Sequence, residues 1–195
     1  MLELPKLILA SGSPRRSEIL QSVGWRFTKH VSDIDESERE GESPEDYVER
    51  LAIEKALAVA ELYPDEVVLG ADTTVVIGHQ MLAKPVDLAD AERMIGLLAG
   101  TWHDVLTGVA VVENGRSRSA IQRTSVKFAP MDRAEIEFLA LRGDPLDKAG
   151  AYAVQAQAAL FIERIDGDYW NVVGLPISLV YELVMRTRAH TMTPT

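Results

Sequence analysis

Short apolar runs alternate with helical patterns along most of this chain, and this alternation constrains the fold more than any other feature. The apolar runs predict strands at 6–10, 67–69, 74–77, 108–112 and 123–128. Apolar side chains at helical spacing predict helices at 14–23, 44–62, 88–98, 132–141 and from Pro176 to about Arg188. The pattern is that of an α/β protein.

The dipeptide Asp166-Gly167 favours a two-residue β-hairpin, with strands expected over 158–165 and 168–173. A two-residue turn can join only antiparallel strands, whereas strands separated by helices are commonly parallel. The sequence therefore predicts a mixed sheet.

Length and composition indicate one globular domain. The chain has 195 residues, of which 47% are hydrophobic and 26% charged, so it can bury a substantial core. We expect a single domain over residues 1–190 and a disordered polar tail over 191–195. Cysteine is absent, which excludes disulfides and thiolate metal sites and is typical of a reducing compartment.

The formal net charge of −10 disfavours binding to nucleic acid, since no basic run accompanies it. No apolar stretch is long enough to cross a bilayer. The first residues, with Glu3 and a very short apolar run, are not typical of a signal peptide. We therefore expect a cytoplasmic protein with no membrane partner.

The segment ASGSPRR, residues 10–16, opens the first predicted helix in an unusual way. Ser13 suits the N-cap and Pro14 the first helical position. Arg15 and Arg16 then lie in the first turn, where the helix dipole disfavours a cation by about 0.3–1 kcal/mol. Two readings remain open from the residues alone, a capped helix without further role and a loop of nucleotidyltransferase type.

Three other charged residues lie in apolar or restricted surroundings. Lys55 falls within the apolar stripe of its predicted helix, as a snorkelling side chain also would. Asp72 interrupts the run VVLGADTTVVI, where a buried carboxylate needs a cation, unless it caps a turn after Gly70. Lys84 precedes Pro85 and so lies in extended backbone, where a solvated surface lysine is the plainer reading.

Seven segments together resemble the Maf family of nucleotide pyrophosphatases, in order from about Leu7 to Leu183. They are LASGSPRR, DIDES, RLAIEKA, LGADTTVV, LAKPVD, DKAGAYAVQ and DGDYWNVVGLPI. The last two resemble the branch that hydrolyses dTTP and UTP, rather than the sister branch that acts on 7-methyl-GTP. We therefore expect hydrolysis of dTTP and UTP, and the alternatives are the sister branch and a non-catalytic nucleotide-binding regulator of septum formation.

The resemblance implies an inosine-triphosphatase-like fold, an elongated mixed sheet flanked by helices with a cleft between two lobes. It implies hydrolysis of a nucleoside triphosphate to the monophosphate and pyrophosphate, a homodimer, and a role in removing modified nucleotides or in cell division. Helix N-termini bind phosphate through free N–H groups, and arginine adds charge-assisted bonds. The resemblance therefore implies that the start of the first helix, at Ser13, binds the triphosphate.

The resemblance also assigns roles to individual residues. Asp72 matches the proton acceptor, and Glu36 matches an acidic residue that with Asp72 would hold Mg²⁺ or Mn²⁺. Lys55 and Lys84 match lysines that neutralise phosphate oxygens. Among the remaining substrate-binding positions, those that match base-discriminating residues of the family are Arg15, Thr73 and Gln155. Supporting contacts are expected from Arg16 and Lys148, and further donors from Ser11 and Ser13.

One departure concerns the loop that carries Gln155. The family usually has GIQG where this chain has Ala153-Val154-Gln155-Ala156. Alanine is strained in left-handed backbone that glycine adopts readily. We expect a shifted loop, and a weaker preference for pyrimidines, if the backbone is left-handed there.

Overall fold

The computed structural model describes residues 3–191. Its strands are β1 (Leu7–Leu9), β2 (Phe27–Lys29), β3 (Val67–Ile77), β4 (Gln80–Leu82), β5 (Trp102–Glu113), β6 (Arg116–Phe128) and β7 (Ile162–Asp166). Its α-helices are α1 (Pro14–Ser22), α2 (Pro44–Ala60), α3 (Leu88–Leu98), α4 (Arg133–Arg142), α5 (Tyr169–Val173) and α6 (Ile177–Thr191). Single 3₁₀ turns cover Pro145–Asp147, Ala149–Ala151 and Gln157–Leu160.

The strands form one mixed sheet in the order β2-β1-β3-β5-β6-β7, with β4 paired to β3. Strand β1, which lies between β2 and β3, is parallel to both. The β3–β4 and β6–β7 pairs are antiparallel. The predicted mixed α/β fold, a sheet flanked by helices, is confirmed.

The predicted hairpin at Asp166-Gly167 is wrong. Residues before the turn form β7, which pairs with β6, but residues after it form helix α5. The Thr124 hydroxyl accepts a hydrogen bond from the Asp168 N–H at 3.0 Å, and the Asp168 carboxylate accepts one from the Trp170 N–H at 2.7 Å. These bonds direct the backbone after Gly167 into helix α5, so Asp166-Gly167 forms a turn from strand to helix and not a hairpin.

A hairpin lies instead at Asn114-Gly115, which joins the neighbouring strands β5 and β6. Both residues have positive φ, 50° and 71°. Successive positive φ values are what a type I′ turn requires, and Asn-Gly is its preferred sequence. The sheet therefore contains a two-residue hairpin of the predicted kind, but at Asn114-Gly115 instead of Asp166-Gly167.

The described chain forms two compact units, and strands β3, β5 and β6 contribute residues to each. The first unit comprises residues up to Asp72, residues 107–122, and the chain from Gly174 onward; the second comprises 73–106 and 123–173. The prediction of one domain over 1–190 stays a prediction. Of the predicted tail, Thr191 ends α6, and residues 192–195 lie outside the described part.

Two glycines of the first unit let α2 pack directly on the sheet. A Cβ atom added to Gly70 would lie 2.2 Å from the Ala52 carbonyl oxygen, and one added to Gly108 would lie 2.2 Å from that of Val48. Only glycine permits so close an approach. The contact at Gly70 sets α2 over β3 one turn before Lys55.

None of the helices that the structure describes is long and apolar enough to span a membrane.

Candidate active site

The edge where β1 and β3 meet gathers most of the predicted residues of the first unit. The two strands are parallel, with Leu9 opposite Leu69, and the Ala10 N–H donates to the Leu69 carbonyl at 2.8 Å. Strand β1 ends at this point, whereas β3 continues past it to Ile77 and carries Asp72 three residues beyond Leu69. The loop after β1 and the carboxylate of Asp72 therefore lie close together.

Helix α1 begins as the sequence predicts. Ser13 is its N-cap and accepts a hydrogen bond from the Arg16 N–H, with Pro14 at the first helical position and no acidic residue in the first turn. The hydroxyl of Ser11, just before it, accepts from the Ser13 N–H at 3.2 Å. Two serine hydroxyls therefore accept hydrogen bonds from backbone N–H groups at the start of α1.

The two arginines of the first turn differ in their surroundings. Arg16 is buried, and its guanidinium donates to the Gly174 carbonyl at 2.8 Å, the Ala71 carbonyl at 2.9 Å and the Ser11 hydroxyl at 3.0 Å. Burial lowers the pKa of Arg16, and the nearby Asp72 carboxylate opposes this. Arg16 ties α1 to β3, whereas Arg15 is half-buried.

The Lys55 ammonium lies between two carboxylates. Its Nζ is 2.6 Å from Asp72 Oδ1 and 2.9 Å from Glu36 Oε1. The Lys55 and Asp72 side chains are only 8% and 11% exposed, whereas Glu36 is 51% exposed. Asp72 lies within strand β3 and not in a turn, and Lys55 does not snorkel, because its charge pairs inside the unit.

The donor set suits a hard divalent cation. Glu36 and Asp72 reach the same ammonium, and carboxylate oxygens are the ligands that Mg²⁺ and Mn²⁺ prefer. Among the described side chains, those of residues 3–185, no group of three or more acidic or histidine side chains could hold a metal by itself. Mg²⁺ is commonly bound by one or two carboxylates together with substrate phosphates, so two carboxylates fit such an ion.

Sequence reasoning missed the residues that surround Glu36. The Tyr47 hydroxyl donates to the Glu36 carbonyl at 3.0 Å, and Arg50 binds both carboxylate oxygens of Glu42 at 2.5 and 2.7 Å. Burial raises the pKa of Tyr47 to about 12, with the Asp72 and Glu36 carboxylates adding to it. The Arg50 hydrogen bonds lower the pKa of Glu42 to about 2. The only indication in the sequence was the i, i+3 spacing of Tyr47 and Arg50, which places both side chains on one face of the predicted helix.

The other predicted residues belong to the second unit. Lys84 and Gln155 are exposed, and Thr73 is half-buried at the start of that unit's share of β3. Lys148 is buried, and its ammonium donates to the Asp144 carbonyl, to the Asp144 carboxylate at 3.2 Å and to that of Asp147 at 2.5 Å. The contacts of Lys148 are thus made with its own loop.

The loop with two alanines is not strained where the sequence suggested. Positive φ among described non-glycine residues occurs only at Asn114, Asp144 and Ala151, so neither Ala153 nor Ala156 has left-handed backbone. The strained alanine is Ala151, with φ 65°. The alanine substitutions therefore impose no left-handed strain on Gln155.

Comparisons with known proteins show which family this chain resembles. A family model described as Maf-like protein matches residues 6–187. The dTTP/UTP pyrophosphatase of Symbiobacterium thermophilum is 48% identical over 181 residues, which are 93% of each chain. That of Hahella chejuensis is 49% identical over 88% of this chain and 87% of its own, and that of Bacillus anthracis 46% identical over 91% and 94%. A solved HAM1 protein from Coxiella burnetii is 17% identical and covers 66% of this chain and 75% of its own, with a TM-score of 0.45.

Proposed function

The chain belongs to the Maf family, and we propose that it hydrolyses dTTP and UTP to the nucleoside monophosphate and pyrophosphate. The observation that carries this proposal is the Lys55 ammonium between Asp72 and Glu36, beside the start of α1. Relatives over 45% identical along most of their length are named for this activity. A buried charge cluster beside a helix N-terminus suits a polyanionic substrate.

The first requirement of the reaction is to neutralise the triphosphate. The N–H groups at the start of α1 and the guanidinium of Arg15 are suited to bind phosphate oxygens, with Ser11 and Ser13 shaping the loop. Arg16 has three protein acceptors and would act mainly by holding this loop to β3. When substrate binds, the Lys55 ammonium would give up part of its contact with the Asp72 and Glu36 carboxylates and would contact phosphate oxygens instead.

The second requirement is an oriented and deprotonated water. The water oxygen attacks the α-phosphorus, the bond between that phosphorus and the α–β bridging oxygen breaks, and pyrophosphate leaves with the bridging oxygen. Asp72 would accept the proton from the water, because it is the more deeply buried of the two carboxylates and Lys55 holds it in place. Positioning and charge stabilisation supply most of the rate in such reactions.

Glu36 and Asp72 would hold a divalent cation, Mg²⁺ or Mn²⁺, when substrate is bound. Such an ion would supply positive charge to the phosphate oxygens. The two carboxylates, 2.9 and 2.6 Å from a shared ammonium, would share their oxygens between the ion and Lys55.

Base selection is the finer part of the proposal. The resemblance assigns Arg15, Thr73 and Gln155 to the base, Lys84 to the phosphates and Lys148 to a supporting contact. A uracil or thymine ring offers a carbonyl–imide edge that Gln155 can pair with, and an unpaired polar group disfavours other bases. Apart from Arg15, these residues lie in the second unit, and the roles of all five rest on the resemblance.

The test is a panel of nucleoside triphosphates with Mg²⁺ or Mn²⁺, scored for monophosphate and pyrophosphate. We expect dTTP and UTP to have the highest kcat/KM among dTTP, UTP, CTP, GTP and 7-methyl-GTP. Preference for 7-methyl-GTP would assign the chain to the sister branch. Binding without turnover of any triphosphate would favour a nucleotide-binding regulator and overturn the proposal.

The proposal includes a cytoplasmic homodimer and no nucleic acid partner, in keeping with the net charge of −10. Light scattering of purified protein tests the dimer, which has twice the 21.5 kDa mass of one chain. A monomer at assay concentration would remove the dimer from the proposal and leave the reaction intact.

A further inference from the structure

Glu36 lies on a segment that has no regular structure of its own. Residues 30–43, between β2 and α2, contain neither helix nor strand. The Glu36 side chain is half exposed, yet its carboxylate lies 2.9 Å from the Lys55 ammonium. Ordering such a segment costs conformational entropy, so other contacts must hold its backbone.

Two side chains of α2 donate to that backbone at successive carbonyls. The Tyr47 hydroxyl donates to the Glu36 carbonyl at 3.0 Å, and Arg50 Nη2 donates to the Ser37 carbonyl at 3.1 Å. Tyr47 and Arg50 are three residues apart and share a helix face. The peptide that follows Glu36 is therefore held from one side by two donors.

Arg50 is itself fixed in place. Its Nε and Nη2 bind the two oxygens of Glu42 at 2.5 and 2.7 Å, its Nη1 lies 3.2 Å from Glu54, and its side chain is only 12% exposed. The guanidinium carbon lies 5.6 Å from the centre of the Tyr47 ring. A lysine has no rigid fork and cannot make this set of bonds.

We propose that Arg50 and Tyr47 are positioning residues, which hold the Glu36–Ser37 backbone so that the Glu36 carboxylate stays against Lys55 during catalysis. This inference rests on the proposed pyrophosphatase function. Both residues act through the backbone that carries Glu36, so their removal costs nothing further once the carboxylate is gone.

The test is a double-mutant cycle with Arg50→Lys and Tyr47→Phe, each alone and combined with Glu36→Gln. Either single variant should lower kcat/KM about 10- to 100-fold, mainly through kcat, since small displacements of a catalytic group cost this much. In the Glu36→Gln background the same changes should lower it less than about twofold. Arg93→Lys is the matched control, because Arg93 pairs with Asp90 on α3 through the same two nitrogens, and it should leave kcat/KM unchanged.

Hydrogen–deuterium exchange provides a readout that does not depend on activity. Amides of residues 34–42 should exchange faster in Arg50→Lys and Tyr47→Phe, while those in the middle of α2 keep their wild-type rates. Equal losses of kcat/KM in both backgrounds, or faster exchange with unchanged kcat, would overturn the positioning role. If the wild-type protein hydrolyses no triphosphate, the proposed function fails by itself, and exchange alone then decides whether these side chains hold the segment.

Discussion

A buried histidine makes the stability of the second unit depend on pH. His103 is 3% exposed, and its Nε2 lies 2.8 Å from the Tyr152 hydroxyl. Its ring contacts those of Phe128 and Tyr152 edge to face. Within the described residues its Nδ1 has no hydrogen-bond partner, so a second ring proton would be buried without an acceptor.

Burial lowers the pKa of His103 from 6.5 to about 4, with the neighbouring Asp104 opposing the shift. Below pH 6.5 the unfolded chain takes up a proton that the folded chain refuses, so stability is lost as the pH falls toward 4. From pH 7.5 to 5 this histidine alone should cost the folded state about 2 kcal/mol. Above about pH 7.5 it should contribute almost no slope.

The perturbation is His103→Gln, which keeps a polar group near Tyr152 and removes the titration. Urea unfolding at pH 7.5 and pH 5 gives the free energy of unfolding for each protein. The variant should be less stable at pH 7.5, but between the two pH values it should lose about 2 kcal/mol less than wild type does. His79→Gln, a change at an exposed histidine in the turn between β3 and β4, should retain the wild-type loss. The reasoning is refuted if His103→Gln loses as much stability as wild type.

Three further perturbations test the site and the packing beneath it. Asp72→Asn should lower kcat about 10²- to 10⁴-fold in protein with an unchanged circular dichroism spectrum, and wild-type turnover in this variant would remove Asp72 as the base. Removing divalent ions with EDTA should abolish triphosphate hydrolysis until Mg²⁺ is restored, and full turnover of the chelated protein would contradict a metal between Glu36 and Asp72. Gly70→Ala should destabilise the fold by about 3 kcal/mol or more, since its Cβ would lie 2.2 Å from the Ala52 carbonyl oxygen; a thermal midpoint equal to that of wild type would show that α2 packs elsewhere.

The long periodic elements could be predicted because their own sequence determines them. Helix α3 runs from Leu88 to Leu98, as its apolar spacing predicts, and α1 begins at Pro14 after the expected N-cap. The turns were harder, since Asn114-Gly115 and Asp166-Gly167 have similar local preferences. At Asp166-Gly167 the conformation is determined by Thr124 of strand β6, whose hydroxyl forms two hydrogen bonds with the backbone of Asp168. Such a tertiary contact is not visible in the dipeptide.

Part of the candidate site was predictable from the sequence, and part was not. The carboxylate of Asp72 within an apolar run predicted a buried cation, and Lys55 provides it. The support of Glu36 was not predictable, because residues 30–43 have no periodicity and the side chains that hold them come from α2. Spacing on α2 shows that Tyr47 and Arg50 share a face, but not what the face contacts.

The two adjacent arginines show why a charge pattern needs the structure to be interpreted. Both oppose the dipole of α1, and either alone is consistent with phosphate binding. Arg16 offsets its burial with three protein acceptors, on Ser11, Ala71 and Gly174. An arginine that joins these three segments holds the loop after β1 beside Asp72. In the proposed pyrophosphatase, preorganisation of this kind would lower the cost of ordering the loop on binding, so Arg16 would act by positioning the loop rather than as the main ligand of the phosphates.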